Sequence, residues 1–280
     1  MPTLTITIED TSPMIIYSGS SGSDWRAGVS GDDNLADHYS QSSFTVTQTE
    51  NAAMSFSFYG TGVQLYGAKR LNHGAYQVSI DSSVYPAVNG SVPDPGTFQT
   101  ALFSTTNLTS GYHTVRMTNL EARYLDLDFI TWQTSVGQAN EPLIATTVQD
   151  ADSSCKYIPE QQWSSSPANI GMFSGGSGHV TSIAGASVEF TFEVSTLALY
   201  GPVGPTGAPF SVQLDNNTAN DFSSSSNKQF YRPQMILFQA SNLGGGQHTV
   251  KLTSEAWGNS SLTLAVDYAQ VYSTPSSQIR

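Results

Sequence analysis

The feature that most constrains this chain is that its sequence is written twice. AMSFSFYGTGVQLYG, Ala53 to Gly67, lies over SVEFTFEVSTLALYG, Ser187 to Gly201, at an offset of 134 with no gap. YQVSID, Tyr76 to Asp81, keeps that offset against FSVQLD, Phe210 to Asp215. GYHTVRMTN, from Gly111, falls on GQHTVKLTS, from Gly246, at 135, and LDLDF, from Leu125, meets LAVDY, from Leu264, at 139. Upstream, IEDTSPMIIYS and VQDADSSCKYI pair Asp10 with Asp150 and Tyr17 with Tyr157 at 140. An offset that changes only between blocks places the insertions in loops, so both copies must share one order of elements.

Inside the blocks apolar and polar residues alternate. Met54, Phe56 and Phe58 share one face, as do Val63 and Leu65, then Tyr76, Val78 and Ile80. Period two is the pattern of half-buried strands, and the stretches GTG, NHG, SVPDPG and LTSG between them are turn chemistry. No segment carries a helical apolar stripe for three turns, and charged residues make up only 11% of the chain. These residues predict an all-β chain of two tandem β-sandwich domains, 1–134 and 140–280, joined near SVGQANE, Ser135 to Glu141.

The net charge of −12 argues against nucleic acid as a partner, because a polyanion is repelled at long range. No apolar run reaches the roughly 18 residues of a transmembrane helix. The single Cys155 excludes an internal disulfide framework, and the opening MPTLTITIED lacks a basic-then-apolar secretion pattern. Glycosylation sequons at Asn89, Asn107, Asn216 and Asn259 point instead to an extracellular or cell-surface setting.

A duplication supplies its own control: residues kept in both copies are explained first by the fold they share. His113 and His248 each follow a Gly-containing turn and open a strand, which suits a turn-closing hydrogen bond. Trp25 aligns with Trp163, so a packing role stands beside a stacking one, and the HYS and HVT triplets align His38 with His179. Asp10 with Asp128, and Asp150 with Asp267, suit either a hard cation or bonds to turn backbone.

Together FYGTGVQLYG, YQVSID, GYHTVRMTN and LDLDFITW resemble the galactose-binding-like jelly-roll superfamily, which includes many carbohydrate-binding modules. The resemblance covers nearly the whole chain and extends to uncharacterised fungal surface proteins with two such domains. It implies a jelly-roll fold, carbohydrate as partner and calcium held at Glu9, Asp10 and Asp128. The second copy has Gln149 in place of Glu9, a poorer cation ligand.

The copies differ most in two loops. Ser21 to Ser40 gathers Asp24, Trp25, Arg26, Asp32, Asp33, Asp37, His38 and Tyr39, whereas its counterpart EQQWSSSPANIGMFSGGSGHVT has no Asp. GAKRLNHGAY carries Lys69, Arg70, Asn72 and His73, against an uncharged GPVGPTGAPF. Sugar recognition needs an aromatic surface and planar polar groups, which makes Trp25, Tyr39, Lys69, Arg70, Asn72 and His73 the expected ligand-binding set. Tyr39 and Arg70 are expected to be exposed loop residues. The reading is a lectin-like, non-catalytic glycan binder. Its alternatives are a glycan-cleaving enzyme using Asp32, Asp33, Asp37 and His38, and a structural adhesion domain. No G-x-S-x-G elbow, zinc spacing or phosphate-binding glycine loop is present.

Overall fold

A computed structural model of the chain describes residues 1–21, 24–224, 229–259 and 261–277; Arg280, the expected end of the second domain, lies outside them. The fold is all-β, and among the described residues the only helical pieces are short 3-10 turns. Two compact units form: Thr5–Thr134, and Ser135–Arg280 together with Met1–Leu4.

The first copy runs β1 (Thr3–Glu9), β2 (Ile16–Ser18), β3 (Trp25–Gly28), β4 (Phe44–Thr47), β5 (Ala53–Gly60), β6 (Gly62–Lys69), β7 (Ala75–Ile80), β8 (Ser83–Val84), β9 (Val88–Asn89), β10 (Thr97–Thr105), β11 (Gly111–Asn119), β12 (Leu125–Leu127) and β13 (Phe129–Ser135). The second runs β14 (Ile144–Gln149), β15 (Cys155–Ile158), β16 (His179–Thr181), β17 (Ser187–Phe192), β18 (Thr196–Val203), β19 (Pro209–Leu214), β20 (Asn220–Ser223), β21 (Arg232–Ala240), β22 (His248–Ser254), β23 (Leu264–Val266) and β24 (Tyr268–Ser273). One sheet has the order β1-β13-β6-β10 in the first copy and β14-β24-β18-β21 in the second. The facing sheet is β2-β5-β11-β7-β8, with β9 also on β7, matched by β15-β17-β22-β19-β20. A short third sheet, β12-β4-β3, has the counterpart β16-β23.

The alternation read from the sequence is the burial pattern. β7 alternates half-buried with buried along its length, and the inward residues Met54, Phe56, Leu65, Tyr76, Met117 and Trp132 fill the first core. Leu197, Phe210, Val250 and Leu252 hold equivalent places in the second. Removing such side chains from water is the main source of stability in a sandwich of this kind.

Residues kept in both copies turn out to fasten the scaffold. Asp81 and Asp215 sit at φ 54° and 51°, the left-handed region that short polar side chains tolerate. Each carboxylate accepts the amide of Thr114 or Thr249 at 2.9 Å and bonds the ring of His113 at 2.7 Å or His248 at 3.0 Å. Asp10 is a second fastener: Ser43 and Thr45 hydroxyls donate to its two oxygens at 3.0 and 2.8 Å. Asp150 does the same work with Ser177 and His179, both at 2.6 Å.

That register corrects one alignment. His179 pairs with Val266 on β23, whereas the β12 residue in the matching place, Leu127, pairs with Thr45. The equivalent of His179 is therefore Thr45, not His38, and each bonds the buried aspartate at the matching place of its own copy, Asp10 for Thr45 and Asp150 for His179.

Candidate functional site

The loop before β4 and the loop between β6 and β7 close over one end of the short third sheet. Between them lies a cavity of about 200 Å³ lined by Arg26, Asp32, Asp33, Asn34, Arg70, Asn72, His73, Tyr124 and Asp126, with Gly28, Phe44 and Val46 at its wall. Of the expected ligand-binding set, Arg70, Asn72 and His73 line it. Of the expected acidic set, Asp32 and Asp33 line it, and Arg26, named with that loop, joins them.

The floor is a buried polar cluster centred on Asp126, which is 0% exposed. Tyr39 Oη donates to its Oδ2 at 2.6 Å, His73 Nε2 lies 2.8 Å from the same oxygen, and the Ala68 amide donates to Oδ1 at 2.7 Å. His73 Nδ1 in turn lies 2.9 Å from Asn72 Oδ1. A Cβ on Gly67 would stand 2.7 Å from Asp126 Oδ1, so a glycine is what lets this carboxylate reach the β6 backbone. At the opposite wall Gly28 leaves room for the Phe44 ring, which a Cβ there would meet at 2.2 Å.

Above the floor stand two guanidinium–carboxylate pairs. Arg70 binds Asp33, with both side chains 17% exposed, and Arg26 meets Asp32 at 3.3 Å with both about half exposed. Burial alone would raise the Asp33 carboxyl, but the Arg70 guanidinium and the Leu35 amide hold it below the usual carboxylate range. Burial likewise works against charge on Arg70, and Asp33 with Tyr39 outweighs it. Arg70 also lies over the Phe98 ring, 5.4 Å from its centroid. Phe98, Tyr124 and Asp126 belong to this region and escaped the sequence reading. For Asp126 a signal was present, since LDLDF sets it against Ala265 of LAVDY.

Two of the expected ligand contacts, Tyr39 and Trp25, neither line the cavity nor reach the surface. Tyr39 is 2% exposed, stacked on Phe44 at 4.0 Å and tied to Asp126, because its ring completes the small apolar cluster of Ala36, Phe44, Val46 and Ala68. Trp25 is 3% exposed and donates from Nε1 to the Ser18 carbonyl at 3.1 Å. Lys69, Asp37 and His38 do not line the cavity; His38 pairs with Asp37 at 3.8 Å and packs edge-on against Phe98.

The calcium expectation needs Glu9, Asp10 and Asp128 to face one point. Asp10 instead has both oxygens engaged by hydroxyls, Ser40 donates its amide to Asp128 and its hydroxyl to Glu9, and among the described residues no three His, Cys, Asp or Glu side chains are arranged to hold a metal. As they stand these residues do not fit a three-carboxylate cation site. Burial, opposed by the Ser40 amide and reinforced by repulsion from Glu9, Asp10 and Asp126, pushes the Asp128 carboxyl up to about 8.

In the second copy none of the cavity chemistry is repeated. The backbone matches Tyr39 with Phe173 and Asp126 with Ala265, and the ungapped loop alignment matches Arg70 with Gly204, Asn72 with Thr206 and His73 with Gly207. The parallel bridge of His73 to Tyr124 recurs as Gly207 to Thr263, so the frame is kept while the functional groups are gone.

No family model matches the chain. It is 26% identical over 255 residues, 89% of its length, to an A type blood alpha-D-galactosamine galactosaminidase of Flavonifractor plautii. It is 24% identical over 127 residues, 45% of its length, to an A type blood N-acetyl-alpha-D-galactosamine deacetylase of the same organism. The chain spans only 21% of the first protein and 15% of the second. Among solved structures, a Paenibacillus xanthan lyase is 17% identical, covering 90% of this chain and 25% of that one at a TM-score of 0.34. A Podospora anserina GH26-CBM35 beta-(1,4)-mannanase is 16% identical, covering 46% of this chain and 27% of that one at 0.30.

Proposed function

We propose that this chain is a glycan-binding region that holds a carbohydrate in the first-unit cavity without cleaving it. The observation that carries the reading is the cavity itself: Arg26, Asp32, Asp33, Arg70 and Asn72 set planar hydrogen-bonding groups around a concave site beside Tyr124. Such groups match the paired hydroxyls of a sugar, and an aromatic edge suits the apolar side of its ring. Support comes also from relatives named for acting on galactosamine sugars of A type blood, of which this chain matches about a fifth or less.

The chemistry of two cavity carboxylates, Asp33 and Asp126, favours binding over hydrolysis. A glycosidic general acid needs a carboxyl whose pKa is raised, and Asp33 is held low by Arg70. Asp126 has its two oxygens filled by three protein partners. We also read the two units as tandem copies of one jelly-roll domain, 1–134 and 140–280. A setting outside the cell is supported by exposure of all four sequon asparagines. Among the described residues no helix is long and apolar enough to cross a membrane.

A glycan array that includes galactosamine- and N-acetylgalactosamine-terminated chains, followed by chromatography of any bound glycan, tests the reading. Binding with the glycan recovered intact is expected. Product formation would install the enzyme alternative, and an array without hits would favour an adhesion domain that pairs with protein.

A further inference from the structure

We propose that His73 is a positioning residue whose protonation decides which end of the Asn72 amide faces the cavity, and therefore whether that point of the cavity donates or accepts a hydrogen bond. The geometry behind it is the chain from Asp126 through His73 to Asn72. Nε2 of His73 lies 2.8 Å from a carboxylate oxygen, which can only accept, so Nε2 carries a proton in either charge state of the ring. Nδ1 lies 2.9 Å from the Asn72 amide, the one end of the ring free to change.

When the ring is cationic, Nδ1–H donates to Asn72 Oδ1 and the amide NH₂ is left to the cavity. When Nδ1 gives its proton to solvent it becomes an acceptor. The amide then turns half a rotation, Nδ2–H donates to Nδ1, and Oδ1 faces the cavity. The two arrangements keep every hydrogen bond of the floor and differ by one proton and one amide flip. The ring itself has no freedom to turn, because it is 3% exposed and Asp126 is fixed by Tyr39 and Ala68. Asn72, by contrast, is exposed.

The charged and titratable groups around the ring are Asp126 beneath it, Tyr39 beyond Asp126, Tyr124 at 6.1 Å between ring centroids, and Asp33 with Arg70 across the cavity. Glu121 and Arg123 stand behind it against Gly74. Resting on the glycan-binding reading, the consequence is a choice of ligand chemistry at a single site. The cationic ring selects sugars that place an acceptor there, such as an acetamido carbonyl, and the neutral ring selects those that place a hydroxyl or ammonium donor.

The test is nitrogen-15 NMR of the whole chain, following the His73 ring and the Asn72 side-chain amide between about pH 5 and about pH 8. The Asn72 amide signals are expected to move with the His73 Nδ1 midpoint while Nε2 stays protonated throughout. Asn72→Asp, which offers only acceptors, should move that midpoint upward relative to the parent chain. An Asn72 amide that stays unchanged through the His73 titration, a neutral ring protonated on Nδ1, or a ring that does not titrate in this range would each overturn the proposal. Binding of methyl N-acetyl-α-D-galactosaminide is measured in parallel, with affinity expected to fall about tenfold from the acid to the basic end of the range. Failure of every glycan to bind, with the NMR coupling intact, would sink the binding reading and leave the switch standing.

Discussion

The two units carry the same strand order and the same fasteners, and differ in what stands at one end. Asp10 and Asp150 each bind two side chains across the short third sheet, and Asp81 and Asp215 each clasp a histidine and a threonine amide. These residues hold turns and strands of each sandwich together, and both copies keep them. Tyr39, Asp126, His73 and Arg70 are found in the first unit alone, where the second has Phe173, Ala265, Gly207 and Gly204. A frame can be copied without its site, and the first unit is where the site's polar groups stand.

The sharpest way to break this contrast is Asp126→Ala, which gives the first unit the second unit's residue without the rest of its apolar floor. It strands the Tyr39 hydroxyl, the His73 ring and the Ala68 amide in a buried place, and should cost about 3–5 kcal/mol. Denaturant unfolding measures the loss, and amide exchange should place it in the first unit. A cost under about 1 kcal/mol would mean that the floor is not a connected network.

Arg70→Ala comes next. With its guanidinium gone, Asp33 loses its partner and the cavity loses a planar donor. Affinity for whichever glycan the array identifies should fall at least tenfold, about 1.4 kcal/mol, with a stability loss on the order of 1 kcal/mol from the half-buried pair. Gly204→Arg in the second unit should create no binding, because no Asp33 or Asp126 stands there to receive it. Unchanged affinity in Arg70→Ala would move the site elsewhere.

The units should also part with pH. Burial opposes charge on His113, but Asp81 and the Thr109 carbonyl raise its pKa, so its contribution is complete below the unfolded imidazole value and is lost as pH rises through the higher folded one. Asp128, pushed up to about 8, keeps its proton in the folded state after the unfolded chain has released it, so it too takes stability away as pH climbs from about 4 through about 8. In the second unit burial, against the Ser174 amide and with repulsion from Asp150, raises Asp267 only to about 6. The first unit should therefore go on weakening up to about pH 8, while the loss from Asp267 in the second fades through pH 6 and is largely over by about pH 7. Amide exchange corrected for its intrinsic pH dependence reads the two units separately, and His113→Gln should flatten part of the first unit's slope. Parallel slopes above about pH 7 would refute the assignment.

Much of the scaffold was legible because strand burial repeats at short range: the alternation at Tyr76, Val78 and Ile80 needs no knowledge of what lies opposite. The two loops were legible as the places where the copies diverge. Exposure within them was not. Tyr39 sits among Asp, His, Ser and Gln, the composition of a solvated loop, and is buried by a partner 87 residues away. The false match of His38 with His179 rested on three letters, and only the ladder to β12 and β23 shows where the insertion falls. Asp126 is legible in the comparison of copies, where it stands against Ala265, but it lies two residues from Asp128, the aspartate both copies share, which masks the difference.

The smallest expected difference concerns the one tryptophan pair kept in both units. Trp25 packs against Tyr17 and Trp163 against Tyr157, each with ring centroids 5.0 Å apart, so the loss of indole volume on substitution by Phe should cost both units about the same. The polar ends differ. Trp25 Nε1 donates to the Ser18 carbonyl at 3.1 Å, whereas Trp163 Nε1 is buried with no acceptor among the described residues. Trp25→Phe gives up a hydrogen bond and leaves a carbonyl with one fewer donor, while Trp163→Phe removes a buried N–H whose desolvation no acceptor among the described residues offsets. A net intramolecular hydrogen bond is worth about 0.5–1.5 kcal/mol, so the first substitution should cost about 1 kcal/mol more than the second in paired denaturant titrations. Equal costs would show that both indoles serve only as apolar bulk, and that even this shared position does not tell the two copies apart.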